Sequence, residues 1–338
     1  MSTRQQLGDL FAPVVNSAAF HQNFSRILGP SDEPERQVLR DWANGFEDRD
    51  GKFVKEFQTS FNSSFWELYV FACLKRLDLH IDMTHPRPDF LVDGSAGSLA
   101  LEAVVALNPE GLAPEWVKHT LDVVPDRERL LDLAALRLAQ GVQAKSEKWL
   151  SSYAQLPHCS GRAFVICIAP FEQPLGQRQG TQAIARVLFG EPQHVVLNES
   201  TGDIVVGSTL YDQTFKPSGA PVRFGLFRDA RIGHVAGVLF SSLATWSKVR
   251  ALTPDDGRDF FFHAVRLSLS QGLQEVAAPR CAYREELVDG LQLFLNPFAT
   301  KPLETEVWRA AGVGIHRLVG PGLTPDSDIR DGMLVMRT

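Results

Sequence analysis

The chain has 338 residues, 44% of them hydrophobic and 22% charged, with a net charge of −6. This is the composition of a soluble globular protein able to bury a sizeable core, as one large α/β domain or two modest ones. The acidic balance argues against a generic nucleic-acid coating protein, although a site built from carboxylates needs only a local basic rim.

Residues 1–55 read as a helical extension. Met1 to Leu10 is polar and has no apolar signal-peptide core. Ser31-Asp32-Glu33-Pro34 is a helix start leading into Arg36 to Asn44, and Glu47-Asp48-Arg49-Asp50-Gly51 is a charged turn. The spacing of Phe65, Leu68, Tyr69, Ala72 and Leu77 predicts a helix from Ser63 to Leu77. Leu79 to Met83 alternates like a strand, broken by His85-Pro86-Arg87-Pro88. Phe90-Leu91-Val92 is a short strand, and Asp93 to Gly97 a turn. Leu99 to Leu107 is a near-continuous apolar run suited to a strand buried on both faces.

Arg127 to Tyr153 predicts a long helix weakened or kinked at Gly141, and Ala163 to Ala169 a second buried strand ended by Pro170. Gln173 to Gly180 is the candidate mobile segment or seam. Beyond it, Thr181 to Phe189 reads as a helix. His194–Leu197 and Ile204–Val206 read as a hairpin around Ser200-Thr201-Gly202-Asp203. Phe224–Phe227 and Val235–Phe240 extend the sheet, Phe260 to Leu273 is expected to be helical, and the tail from Gly312 loop-rich. No run of about 18 apolar residues occurs, so no membrane span is expected. The four cysteines are scattered and form no C-x-x-C pair, and the nine histidines do not cluster at ligand spacing. Free thiols, no zinc site and a cytoplasmic location are the expectation.

Glu102 is the lone charge in Leu99-Ala100-Leu101-Glu102-Ala103-Val104-Val105. An unpaired buried carboxylate is costly, so Glu102 requires a partner, a proton or a metal. Asp89 opens the preceding strand directly after Pro88, and a turn at Asp93–Gly97 brings the two carboxylates to one end of the strand pair. With a main-chain carbonyl, taken as that of Ala103, they make a hard-oxygen site suited to Mg²⁺ or Mn²⁺. Glu67, on the helix before, is a third carboxylate. Each residue has a plainer reading beside this one. Ser64-Phe65-Trp66-Glu67 fits a capping box, Asp89 a strand start, Glu102 an ion pair with a buried Lys or Arg, and Lys145 and Lys148 a solvated helix face.

The order of a helical Glu67, Pro88-Asp89 and then Glu102-Ala103-Val104 resembles the PD-(D/E)XK, or restriction-endonuclease-like, nuclease superfamily, in an uncharacterised bacterial branch. Phe57-Gln58-Thr59-Ser60-Phe61-Asn62-Ser63-Ser64-Phe65-Trp66-Glu67-Leu68-Tyr69 carries the likeness further. It spans residues 47–170 and implies an α/β fold. Its core would be α-β-β-β-α-β at 56–175, with a mixed central sheet flanked by helices, the N-terminal helical extension at 1–55 and a C-terminal α+β elaboration at 176–338. It also implies a Mg²⁺- or Mn²⁺-dependent nuclease acting on DNA, with RNA as the other substrate, and leaves a homodimer open. Val104 stands where the family places lysine. The resemblance implies a substitute from the following helix: Lys145 first, Lys148 second. Without one, the chain would be an inactive relative that binds nucleic acid or protein. A structural or assembly protein, with its partner interface in the C-terminal half, is the expectation from another class.

Overall fold

Eight strands form one mixed sheet, and they lie side by side in chain order. They are β1 (His80–Asp82), β2 (Phe90–Asp93), β3 (Leu99–Leu107), β4 (Ala163–Phe171), β5 (Val235–Phe240), β6 (Gln292–Leu295), β7 (Gly314–Val319) and β8 (Thr324–Asp328). The computed structural model describes residues 5–117, 126–190, 193–197, 204–208, 210–216 and 218–338. Strands β1 to β3 form an antiparallel meander, β3, β4 and β5 run parallel, and β6 returns antiparallel to β5. Strand β7 is parallel to β6 and antiparallel to β8.

Helices cover both faces. On one side lies α3 (Phe61–Arg76), with α1 (Glu33–Ala43) and α2 (Phe53–Thr59) outside it. Because α3 is enclosed between sheet and helices it is apolar nearly all round, with Phe65, Trp66, Leu68, Tyr69, Val70 and Leu74 all buried. On the other side lie α4 (Arg127–Lys148) and α5 (Gln182–Phe189). Asp126 caps α4 by accepting from the Glu128 amide at 3.0 Å. Leu131, Ala135, Leu138 and Val142 then present the periodic face that packs on the sheet. Strand β3 alternates between the two cores: Leu99, Leu101 and Val105 face α3, and Ala100, Val104 and Ala106 face α4.

The helix–strand–strand–strand–helix–strand order expected from the sequence is present, and β3 has the expected bounds. Helix α4 runs through Gly141 without interruption and ends at Lys148, followed by a π-helical turn over Trp149–Tyr153. Gly141 serves packing rather than bending: a Cβ there would sit 2.9 Å from Ile168 Cδ1 of β4. Strand β4 does not stop before Pro170. Its pairing with β5 ends at Ile168–Phe240, so Pro170 lies where only β3 flanks the strand. Residues 173–180 do not form a free loop: Gly176–Gln179 is a 3₁₀ turn with Gly176 and Gln179 buried.

The C-terminal half departs furthest from expectation. The helix expected over Phe260 to Leu273 is a strand, Phe261–Ser268, paired with Gly272–Pro279 and with Met333–Arg337 in a separate three-stranded sheet. His263, on this strand, is exposed. The tail from Gly312 carries β7, β8 and Met333–Arg337 rather than loops. Phe224–Phe227 is not a strand, although Val235–Phe240 is β5. The strands Gln193–Leu197 and Ile204–Ser208 pair as expected, and their turn, Ser200-Thr201-Gly202-Asp203, lies outside the described residues. The region from 176 on thus supplies half of the central sheet's strands. Buried Lys248 pairs with Glu285, which also binds Arg337 of the three-stranded sheet. No helix among the described residues is long and apolar enough to cross a membrane.

Candidate active site

The pairing of β2 with β3 sets the site. Phe90 lies opposite Leu101, so Asp89, one residue earlier, stands beside Glu102. Period-two alternation then turns both carboxylates toward α4, on the face of β3 that also carries Val104. Asp89 Oδ2 accepts the Ala103 amide at 2.7 Å, which fixes its carboxylate against the strand. Ala103 enters the cluster through this N–H.

Glu102 is almost fully buried. Its Oε1 accepts from Lys145 Nζ at 2.7 Å, from the Tyr153 hydroxyl at 3.0 Å and from Lys148 Nζ at 3.4 Å. Its Oε2 is buried and has no partner. Positions 141, 145 and 148 follow one face of α4. Val104 packs beneath that face, its Cγ2 4.0 Å from where a Cβ on Gly141 would be. One turn further along, Lys145 reaches down to Glu102. A cation from the helix packed on Val104 therefore meets the Glu102 carboxylate. Lys145 is only 19% exposed, against 48% for Lys148, so the solvated-face reading fits Lys148 alone.

Glu67 also joins the cluster. The capping-box expectation fails: α3 begins at Phe61, and Glu67 sits two turns in, away from the helix start. Its Oε1 instead accepts from Arg49 Nη2 at 2.9 Å. The same nitrogen lies 3.6 Å from Asp89 Oδ1, and Arg49 Nη1 donates to the carbonyls of Asp89 (2.6 Å) and Pro88 (3.1 Å). Arg49 clamps the helical carboxylate to the start of β2. It and Tyr153 are the members of the cluster that sequence reasoning missed. Arg49 is a lone cation among acids in a stretch read as a turn, and Tyr153 lies at the end of a predicted helix with nothing to distinguish it.

Electrostatics bind the three carboxylates together. Burial, and then the neighbouring Glu102 charge, pushes the Asp89 carboxyl up to about 6 against the pull of Arg49. Glu67 is raised well above its ordinary range by burial and by Asp89, again opposed by Arg49. Burial and the adjoining Glu102 likewise push the Tyr153 hydroxyl up, so it donates as a neutral phenol.

Among the described residues, no three His, Cys, Asp or Glu side chains are disposed to hold an ion together. The cluster is charge-balanced by protein groups: Glu67, Asp89 and Glu102 against Arg49, Lys145 and Lys148. Two features nevertheless fit Mg²⁺ or Mn²⁺. The facing donors are carboxylate oxygens, the chemistry such cations prefer. The unpartnered Glu102 Oε2 is a buried acceptor of the kind that folded proteins normally satisfy. Asp89 and Glu102 fit a direct ligand role. Glu67, tied to Arg49, fits an outer one, through water.

The four cysteines are free thiols, as expected. Comparison with family models, curated proteins and solved structures returns no match to this chain.

Proposed function

We propose that this chain is a metal-dependent nuclease with a restriction-endonuclease-like core, hydrolysing phosphodiester bonds in DNA or RNA. The observation that carries the proposal is Glu102. It is a carboxylate on a doubly buried strand, beside Asp89, with a lysine on one oxygen and nothing on the other. The order of α3, the β1–β3 meander, α4 and the parallel β4 supports the reading, since it is the arrangement that places such a pair in that superfamily.

In this reading Asp89 and Glu102 would hold Mg²⁺ or Mn²⁺, with the Ala103 carbonyl as the expected main-chain ligand and Glu67 orienting a water. The ion, when bound, supplies Lewis acidity toward the phosphodiester and toward water. Lys145 would hold the attacking water or stabilise charge developing on the phosphate. Tyr153 positions the Glu102 carboxylate, and Arg49 keeps Glu67 and Asp89 together against their mutual repulsion. Lys148 is exposed enough to meet a phosphate at the rim.

The charge balance favours a second reading. Three cations already compensate the three carboxylates, as in a relative that has given up chemistry and retained binding of nucleic acid or protein. A nuclease assay with Mn²⁺ and mixed DNA and RNA substrates, run beside Glu102→Ala and Lys145→Ala, decides between them. The enzyme reading expects cleavage by the wild type, abolished in both variants, and metal binding lost in Glu102→Ala alone. No cleavage and no Mn²⁺ binding by calorimetry would leave the binding reading in its place.

A further inference from the structure

A cavity of about 720 Å³ lies on the later half of the central sheet. Its lining has three sources. Strands β5 to β8 contribute Phe240, Phe294, His316 and Ser327; α5 contributes Gln182, Ala185 and Phe189; the three-stranded sheet contributes Leu267, Leu273, Met333 and Val335. The volume falls within the range of about 300–1,000 Å³ usual for small-molecule sites, which are mostly apolar with a few polar groups.

Charge is kept out of this cavity from every side. No Asp, Glu, Lys or Arg lines it among the described residues, although these types make up 22% of the chain. Their absence follows from where neighbouring charges turn. On β8, Pro325 and Ser327 line the cavity, while Asp326 and Asp328 pair with Arg317 and Arg309. Successive strand residues point to opposite faces, so the same alternation puts His316 in the lining and Arg317 outside it. On α5, Ala185 lines the cavity and Arg186 turns to Glu128 and Asp132 of α4. On the three-stranded sheet, Leu267 lines it and Arg266 turns to Asp289 and the Gly332 carbonyl.

His316 is held neutral. Its Nε2 donates to Gln292 Oε1 at 2.7 Å, and its Nδ1 accepts from the Ser327 hydroxyl at 2.8 Å. Phe294 stacks on the ring, with centroids 4.5 Å apart, and burial pushes the imidazole down to about 4. An ion entering this lining would lose water and meet no counter-charge, which is costly. A neutral hydroxyl or carbonyl would meet neutral side chains such as Gln182, Ser242 and Gln271. At this end of the hairpin the well-exposed apolar side chains are Leu269 and Leu273, far less than the apolar centre of a stable protein interface. That favours a small molecule over a second copy of the chain.

We propose that this cavity binds an uncharged, largely apolar small molecule bearing a neutral polar group such as a hydroxyl. The site shares no residue with Glu67, Asp89, Glu102 or Lys145, so the inference stands whether or not the chain is a nuclease.

The test is a calorimetric titration of the full chain at pH 7 with three probes of one chain length: 1-octanol, octanoate and octylammonium. The expected result is saturable binding of 1-octanol, about tenfold or more tighter than either ion. 1-Hexanol, two methylenes shorter, should bind about tenfold more weakly than 1-octanol. Ala185→Trp fills the cavity and should abolish binding. Val335→Lys sets an ammonium in the lining and should turn the preference toward octanoate. Thermal melts establish that each variant is folded, and the comparison of the three probes on the wild type needs no variant. The proposal is overturned if 1-octanol does not bind at millimolar concentration, if either ion binds as tightly, or if binding is unchanged in the folded variants. Sedimentation velocity with and without 1-octanol should show no change of state. A dimer that 1-octanol dissociates would give this face to a second copy and overturn the proposal as well.

Discussion

Lys145 Nζ lies 2.7 Å from Glu102 Oε1, reaching across the interface between helix and sheet from a position one turn beyond Gly141, against which Val104 packs. The carboxylate comes from β3 and the cation that pairs with it from α4.

Removal of that cation should be felt in both stability and activity. Lys145→Met leaves Glu102 with Tyr153 and the more distant Lys148, so it should cost about 2 kcal/mol, below the range for an uncompensated buried charge. If the chain cleaves phosphodiesters, kcat should fall by about 100-fold or more, in line with loss of one electrostatic stabiliser. Val104→Lys in the Lys145→Met background should recover part of the activity. Urea denaturation and a single-turnover assay read the two effects separately, and an unchanged kcat in Lys145→Met would remove Lys145 from the mechanism.

Arg49 makes a distinct prediction, because it holds two carboxylates at once. Arg49→Ala should destabilise the protein by about 3 kcal/mol at pH 8. At pH 5 the loss should be smaller, since Asp89 and Glu67 take up protons readily when the guanidinium is absent. Arg49→Lys should rescue little, because one ammonium cannot reproduce contacts to two carbonyls and two carboxylates. Denaturation curves for both variants at the two pH values would show it, and an equal loss at each pH would contradict it.

Glu172 gives the clearest pH dependence. It lies directly after β4, fully buried, with Oε1 bonded to Gln173 and Gln179 and Oε2 unpartnered. Burial pushes its carboxyl up to about 7. A raised folded-state pKa stabilises the fold below the unfolded value, near 4.5, and that contribution disappears as pH rises through 7. The shift corresponds to about 3 kcal/mol. Glu172→Gln keeps an acceptor for the neighbouring amides and drops the charge. The difference in stability between variant and wild type should therefore grow in the variant's favour between pH 5 and pH 8. A constant difference would mean that Glu172 stays ionised in the folded protein.

Gly141 can be tested through its partner across the interface. A Cβ there meets Ile168 Cδ1 at 2.9 Å, so Gly141→Ala trades a gain in helix propensity of about 1 kcal/mol against overpacking of about 1–3 kcal/mol. The net expectation is a loss of about 1 kcal/mol. In an Ile168→Val background, where that methyl is gone, the same substitution should become neutral or stabilising. A double-mutant cycle that shows additivity would place the strain elsewhere.

How much of this could be read in advance depended on how local the signals were. Strand β3 was legible because burial on both faces writes a continuous apolar run, and Glu102 stood out against it. The pairing of Asp89 with Glu102 followed from a short turn between neighbouring strands. Arg49 was not legible, because its partners, Glu67 and Asp89, lie 18 and 40 residues away. The strand at Phe261–Ser268 was misread because the run Phe260-Phe261-Phe262-His263-Ala264-Val265 satisfies a helical pattern as easily as a strand. Its alternation shows only in burial: Phe261 and His263 are exposed, Phe262 and Ala264 buried. Gly272, at φ +74, closes the hairpin that the helical reading ran through.

The strict chain order of the central sheet has a consequence for how such a molecule is assembled and enlarged. Each strand, on leaving the ribosome, has its neighbour already synthesised, and no later segment must be inserted between two earlier ones. Such a topology suits vectorial folding, in which the Asp89–Glu102 pairing is complete before β5 exists. It also means that strands accreted at the β8 edge leave the opposite edge undisturbed. The second half of the chain is free to acquire new surfaces without renegotiating the geometry around Glu102.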